Sequence, residues 1–241
     1  SGRTVTRIEG PGDLGRILAF TPDGRRVVGT YCAKALGSLC PDTRIRTWEA
    51  DTGRLVGDLP CPLALVNDLA VDKRGRIAVA GCRSEPTGPA QTCLLGDAFL
   101  YAGPTDREPR VLSGHRRPVM SVRFFPDGSR LATAGTDACA RIWDGATGRE
   151  VRLLCDQGAE IYAVAVSPDG ATLATGTDAN DVLLWDVATG VRVAVLKGHR
   201  DSVRQLAFVP GTRLLASGGD DRSLRLWDLD RREVVTVLTG Y

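Results

Sequence analysis

One spacing constrains this chain more than any other property. Trp143-Asp144, Trp185-Asp186 and Trp227-Asp228 stand 42 residues apart, and a turn element keeps step ahead of them: Pro126-Asp127-Gly128, Pro168-Asp169-Gly170 and Pro210-Gly211. Two earlier copies are stretched. Pro22-Asp23-Gly24 leads to Trp48-Glu49, and Lys73-Arg74-Gly75 leads to Tyr101-Ala102. A fixed period of roughly 20 to 50 residues means that each repeat is one supersecondary unit, able to bury its apolar face only by stacking on its neighbours. Five units fill the 241 residues, so the chain is read as several small cores between stacked sheets and not as one large core.

Inside a unit the apolar residues alternate. Val119, Ser121, Arg123 and Phe125 oppose Met120, Val122 and Phe124 ahead of the Pro-Asp-Gly turn. Leu131-Ala132-Thr133-Ala134, then Ala140-Arg141-Ile142-Trp143, then Val151 to Leu154 follow, parted by a turn at Asp137 and by Thr147-Gly148. Short period-two runs bounded by Asp-Gly and Thr-Gly pairs predict a four-stranded antiparallel meander. Radial stacking of copies buries both faces of such a sheet.

Gly114-His115, Pro126-Asp127-Gly128, Leu131-Ala132-Thr133, Asp137 and Trp143-Asp144 together resemble one repeat of the WD-repeat β-propeller family. Gly198-His199, Leu215-Ala216-Ser217, Asp221 and Trp227-Asp228 match it again. The resemblance covers nearly the whole chain. It implies an all-β fold, a β-propeller of five four-stranded antiparallel blades near residues 9–59, 60–113, 114–154, 155–197 and 198–239. Residues 1–8 resemble the outer strand of a preceding blade, so the chain is expected to be a segment of a larger ring, completed by upstream blades or by another chain. Three units depart from the pattern. Pro11, Pro62 and Gln157 stand at the His position of the first, second and fourth, and Tyr101 replaces Trp in the second.

His115 and His199 are the two histidines, and each is matched with a hydroxyl and a carboxylate: Thr133 with Asp137, and Ser217 with Asp221. By residue type these sets imitate a hydrolase triad. The resemblance implies a different role, in which His115, Thr133, Asp137 and Trp143, and again His199, Ser217, Asp221 and Trp227, form buried hydrogen-bond relays tying a loop to the sheet. That the set occurs twice argues against a unique active site. The phosphate-binding loop, the G-x-S-x-G elbow and the His-Glu-x-x-His zinc motif are all missing. Asp178-Ala179-Asn180-Asp181 lacks the Gly and distal Glu of a calcium loop and reads as a tight turn. A hydrolase site in a central channel needs converging polar residues, yet the inner strands read Ala163-Val164-Ala165-Val166 and Leu206-Ala207-Phe208. The expectation is therefore a chain that is not an enzyme, with no cofactor and no metal.

The chain has seven cysteines, and four of them bracket the insertions of the two stretched units. Cys32 and Cys40 bracket one insertion, Ala33 to Leu39, and Cys82 and Cys93 bracket the other, Arg83 to Thr92. The ends of a hairpin loop approach each other, so either pair is able to meet disulfide geometry. Three readings stand side by side: disulfides in an oxidising compartment, a shared four-thiolate zinc site, or reduced thiols that pack. Cys139, in the third unit's turn, and Cys155, in the following loop, form a candidate third pair, which leaves Cys61 over. The location is accordingly extracellular if the pairs are disulfides and cytoplasmic otherwise.

Charge narrows the partner. Thirty-one basic against 29 acidic residues leave +2, too little for a nucleic-acid footprint, and no apolar run is long enough to span a bilayer. Arginine outnumbers lysine heavily, since Lys34, Lys73 and Lys197 are the three lysines, a composition suggestive of a GC-rich bacterial genome. The leading expectation is a non-catalytic scaffold or sensor module of a larger bacterial signalling protein, binding a protein or peptide partner. The loop face that carries the insertions is the candidate surface. Its residues are Lys34, Arg83, Glu85, Arg116, Arg117, Glu160, Arg200, Asp201 and Arg222. The alternative is self-association of an oligomer-forming structural segment.

Overall fold

Each repeat folds as its alternation predicts because three kinds of turn punctuate it at fixed places. In the Pro-Asp-Gly turn the glycine takes a left-handed conformation (φ 69° at Gly128, 71° at Gly170), which a side chain would disfavour. The aspartate before it closes the turn: Asp127 accepts from the Ser129 hydroxyl at 2.7 Å and from the Ser129 N–H at 2.9 Å. A neighbouring hydroxyl, with a backbone N–H beside it, holds Asp23, Asp127 and Asp169 below the usual carboxylate range. The aspartate after each tryptophan closes the next hairpin, Asp144 accepting from the Thr147 N–H and Asp186 from the Thr189 N–H, both at 2.7 Å. Between those two turns a third recurs with a left-handed residue at Ala138, Asn180 and Arg222 (φ 63°, 71° and 57°).

The structure, a computed structural model, describes residues 13–32, 40–84, 93–156 and 158–240. Those residues form five four-stranded antiparallel sheets and no helix. The first sheet is β1 (Asp13–Phe20), β2 (Arg26–Cys32), β3 (Thr43–Glu49) and β4 (Leu55–Cys61). The second is β5 (Leu65–Val71), β6 (Ile77–Ser84), β7 (Cys93–Tyr101) and β8 (Arg110–Leu112). The third is β9 (Val119–Phe124), β10 (Arg130–Gly135), β11 (Cys139–Asp144) and β12 (Glu150–Cys155). The fourth is β13 (Ile161–Val166), β14 (Thr172–Thr177), β15 (Asp181–Asp186) and β16 (Arg192–Lys197), and the fifth is β17 (Val203–Phe208), β18 (Leu214–Gly219), β19 (Ser223–Asp228) and β20 (Glu233–Thr239). Strand order follows chain order in every sheet, and the register slips by one residue beside Trp48, Trp143, Trp185 and Trp227. The expected strand at residues 1–8 lies outside the described residues.

The chain divides after Val119 into two units. In the first, Val28, Ile45 and Leu59 of the first sheet pack with Leu69, Ile77, Val79 and Phe99 of the second. In the second, one core joins the third and fourth sheets through Ala132, Ile142, Leu154, Leu173 and Trp185. Another joins the fourth and fifth through Ala174, Val182, Leu196, Leu206 and Trp227. Core formation between copies, as the repeat demands, is the pattern in both units.

Candidate functional site

The polar residues of the fifth repeat converge behind the β18–β19 turn. Leu215 pairs with Trp227 and Ser217 with Arg225, so β18 and β19 hold the hydroxyl and the indole on one face. The Trp227 N–H, a donor only, donates to Ser217 Oγ at 2.8 Å. Ser217 Oγ also lies 2.7 Å from His199 Nε2. Since the hydroxyl already accepts from the indole, its own proton goes to Nε2, and this network assigns the imidazole proton to Nδ1. That nitrogen faces the Asp221 carboxylate at 3.0 and 3.1 Å.

Asp221 is the hub of the turn. It accepts from the Arg200 N–H at 2.9 Å, the Ser223 N–H at 3.0 Å and the Ser223 hydroxyl at 2.8 Å. Burial opposes its ionisation, but these donors and His199 outweigh that effect and hold its carboxyl well below the usual range. The arrangement has the residue types of a triad and the wiring of a clamp. Ser217 is buried with its oxygen capped by the indole, so no acyl group reaches it for attack.

Other repeats keep parts of this network. In the third, the Trp143 N–H donates to Thr133 Oγ1 at 2.8 Å, and Asp137 lies 3.6 Å from the Arg141 guanidinium. His115 is buried and belongs to the first unit. In the fourth, Trp185 donates to Thr175 at 3.0 Å, but Ala179 occupies the Asp position. Gln157 lies outside the described residues. In the second, the Tyr101 hydroxyl donates to the Pro60 carbonyl at 2.7 Å.

Six cysteines form disulfides, Cys32–Cys40, Cys82–Cys93 and Cys139–Cys155, with Cα atoms 5.7, 5.4 and 4.1 Å apart. Cys61 is left free and buried, and burial pushes its thiol up to about 11. Pairing therefore replaces the four-thiolate zinc reading, and the described residues contain no cluster able to hold a metal ion. Two sequence expectations need correction. Cys139 and Cys155 lie neither in a turn nor in a loop: they open β11 and close β12 as direct register partners, because β12 runs one residue beyond its last apolar position. Arg83 is no loop residue either, since β6 continues to Ser84 and the hairpin extends past the disulfide.

The candidate binding residues distribute as follows. Lys34 and Glu85 lie outside the described residues. Arg83 is ion-paired with Asp97 at 2.5 Å, its guanidinium 5.3 Å from the Phe99 ring centroid. Arg116 and Arg117 are exposed between β8 and β9. The Arg117 carbonyl passes so close to β7 that a Cβ on Gly96 would lie 1.7 Å from it, which explains that glycine. In the second unit Glu160, Arg200, Asp201 and Arg222 share one end of the sheets, because the entry to the first strand of a meander and its middle turn lie at the same end. Backbone bonds stitch that end together, from Asp178 N–H to Glu160 C=O at 3.0 Å and from Asp220 N–H to Ser202 C=O at 2.9 Å.

At this same end lies a cluster that sequence reasoning missed. The Arg204 guanidinium stands 3.9 Å from the Tyr162 ring centroid, and its Nε lies 2.7 Å from Asp220. The Tyr162 hydroxyl donates to Glu160 at 2.8 Å, and burial, then that carboxylate, pushes its pKa up. The available signal was divergence: Met120, Tyr162 and Arg204 occupy one repeat position, 42 residues apart, and have nothing chemical in common.

Comparison with known proteins agrees with this architecture. Residues 107–144, 148–186 and 190–228 each match the WD domain, G-beta repeat. WD repeat-containing protein 1-B of Xenopus laevis is 34% identical over 129 residues, 53% of this chain and 18% of that protein. Meiotic recombination protein rec14 of Schizosaccharomyces pombe is 28% identical over 52% of this chain and 35% of its own length. Actin-interacting protein 1-2 of Arabidopsis thaliana is 30% identical over 54% of this chain and 19% of its own length. The matched stretch is thus a minor part of each of these proteins, all of which are eukaryotic. Among solved structures, that of U3-55K superposes with a TM-score of 0.53 at 30% identity, covering 55% of this chain and 42% of the other.

Proposed function

Since residues 107–228 are a run of three WD40 repeats within a set of five four-stranded blades, we propose that this protein is a non-catalytic scaffold for a protein or peptide partner. The binding surface is the end of the fourth and fifth sheets that carries Tyr162, Arg204, Asp220, Arg200 and Arg222. One observation carries this reading: a half-exposed Arg204 held between an aromatic ring and a carboxylate on a rigid base. Tyrosine and arginine are the residue types most often energetically dominant at interfaces, and a side chain already fixed loses less entropy on binding. The disulfides support an oxidising compartment. A regulatory role in a larger bacterial signalling protein rests on composition and fold analogy.

The test is affinity capture and quantitative mass spectrometry with wild type, Arg204→Glu and Arg213→Glu. Arg213 pairs with Asp230 at the opposite end of the same sheet, at 3.0 Å. A partner of the proposed surface is retained by wild type and Arg213→Glu and lost by Arg204→Glu. Equal binding by all three proteins contradicts the assignment of the surface.

A further inference from the structure

The β1–β2 and β5–β6 turns of the first unit line one cleft, and they carry charges that the repeat does not require. The first turn keeps the usual chemistry: Asp23 accepts from the Thr21 hydroxyl at 2.6 Å and from the Arg25 N–H at 3.0 Å. The second is closed by a different residue. Asp72 accepts from the Arg74 N–H at 2.9 Å and the Arg76 N–H at 2.8 Å, and its other oxygen lies 2.7 Å from the Arg76 guanidinium. A carboxylate at the base of the turn frees the Pro-Asp positions of the other repeats, and Lys73 and Arg74 occupy them. Where Asp127 and Asp169 stand in the third and fourth repeats, the second has an arginine.

The cleft has a volume of about 230 Å³, and Arg25, Arg26, Lys73 and Arg74 line it together with Asp23 and Asp72. Asp72 is buried and its charge is balanced by Arg76. Glu49, the register partner of Arg26, is paired with Arg54. Arg25, Lys73 and Arg74 are exposed, and among the described residues they form no ion pair. Asp23 remains to oppose four cations. The corresponding cleft between the fourth and fifth sheets, of about 160 Å³, has Phe208, Leu229 and Thr212 in its lining. Its cation, Arg213, is paired with Asp230. The fold therefore builds this cleft without a basic lining, and the first unit has added one.

We propose that the cleft between the first and second sheets binds a phosphate-class dianion, either free or as the phosphoryl group of a phosphorylated peptide. Arginine presents paired planar donors that match phosphate oxygens, and lysine adds a point charge. Like charges gathered around one opening repel one another, and a dianion among them removes that repulsion. The turns are held by Asp23 and Asp72 through backbone N–H groups, so the four cationic side chains are free to turn toward a ligand. The site lies in the first unit, apart from the Tyr162–Arg204 surface, and stands or falls independently of it.

Isothermal titration at constant ionic strength tests this, with inorganic phosphate, a phosphoserine peptide and the same peptide unphosphorylated as probes. Phosphate, the phosphopeptide or both bind at one site per chain, and which of them binds more tightly identifies the source. The unphosphorylated peptide does not bind. Lys73→Gln/Arg74→Gln weakens binding by about tenfold, and Arg25→Gln on the facing turn weakens it as well. Asp23→Asn strengthens it by about threefold, a gain that a damaged turn would not produce. Arg213→Gln, in the corresponding cleft of the second unit, leaves it unchanged. Circular dichroism checks the fold of each variant, and Lys73→Gln alone serves as the milder substitution. Failure of both phosphate probes to bind the wild type overturns the proposal. So does an affinity that survives Lys73→Gln/Arg74→Gln, or a loss of binding in a folded Asp23→Asn variant.

Discussion

The second and fifth sheets secure the same end of the same meander by different chemistry. In the fifth, the side chains of His199, Ser217, Asp221, Ser223 and Trp227 lock the β18–β19 turn through hydrogen bonds centred on Ser217 and Asp221. In the second, Val79 and Tyr101 stand where the hydroxyl and the indole would be, and a covalent Cys82–Cys93 bridge spans the hairpin instead. The first sheet follows the second, with Gly29 at the hydroxyl position and a Cys32–Cys40 bridge. A repeat that has lost the polar clamp has gained a staple in both cases. The lesson is that the fold requires this end to be pinned and leaves the means open. A staple also tolerates an insertion between its ends, which a clamp requiring a short three-residue turn does not.

Removing the staple should have the largest effect. Cys82→Ser/Cys93→Ser releases a closed loop and is expected to cost about 3 kcal/mol, by the loop-closure dependence of disulfide stabilisation. Chemical denaturation followed by hydrogen exchange in β6 and β7 measures it, with the fifth sheet unchanged. Next comes the clamp. Ser217→Ala leaves the Trp227 N–H and His199 Nε2 buried without a partner, and about 2 kcal/mol is expected from the cost of unmade buried hydrogen bonds. Thr175→Ala, in the fourth sheet, strands only the Trp185 N–H, because Ala179 never supplied a carboxylate; about 1 kcal/mol is expected there. Thermal melts of the two variants side by side sharpen the contrast, and equal losses would break it.

The smallest effect at neutral pH is the one that pH itself reveals. The folded-state pKa of Asp221 lies below its ordinary value of 3.8. Its contribution is therefore complete above about pH 4 to 5 and is lost as pH falls through the ordinary carboxylate range toward the folded value. Acid titration of stability should show wild type falling more steeply below pH 4 than Asp221→Asn. Parallel curves would remove Asp221 from the clamp's electrostatics.

Much of this was readable in the residues themselves. The Trp-Asp and Pro-Asp-Gly spacings locate the sheets because each marks a turn whose hydrogen bonds depend on those side chains, as Asp127 and Asp144 show. The disulfide partners at Cys32–Cys40 and Cys82–Cys93 were legible as hairpin ends. The strand positions of Cys139, Cys155 and Arg83 were not, since a hairpin extends as far as backbone pairing remains favourable, and polar residues in its last rungs give no apolar alternation to read. Tyr162 and Arg204 were hidden for the opposite reason. No structural demand falls on that repeat position, so the residues there differ, and a search for likeness passes over them.

The central claim is that two independent locks, one covalent and one hydrogen-bonded, hold the corresponding turn of different four-stranded sheets. Native-state hydrogen exchange with and without reductant tests it most directly. Reduction should raise exchange in residues 26–32, 43–49, 77–84 and 93–101 and leave residues 203–228 protected as before. Unchanged protection throughout, or an equal rise in the fifth sheet, would contradict the account.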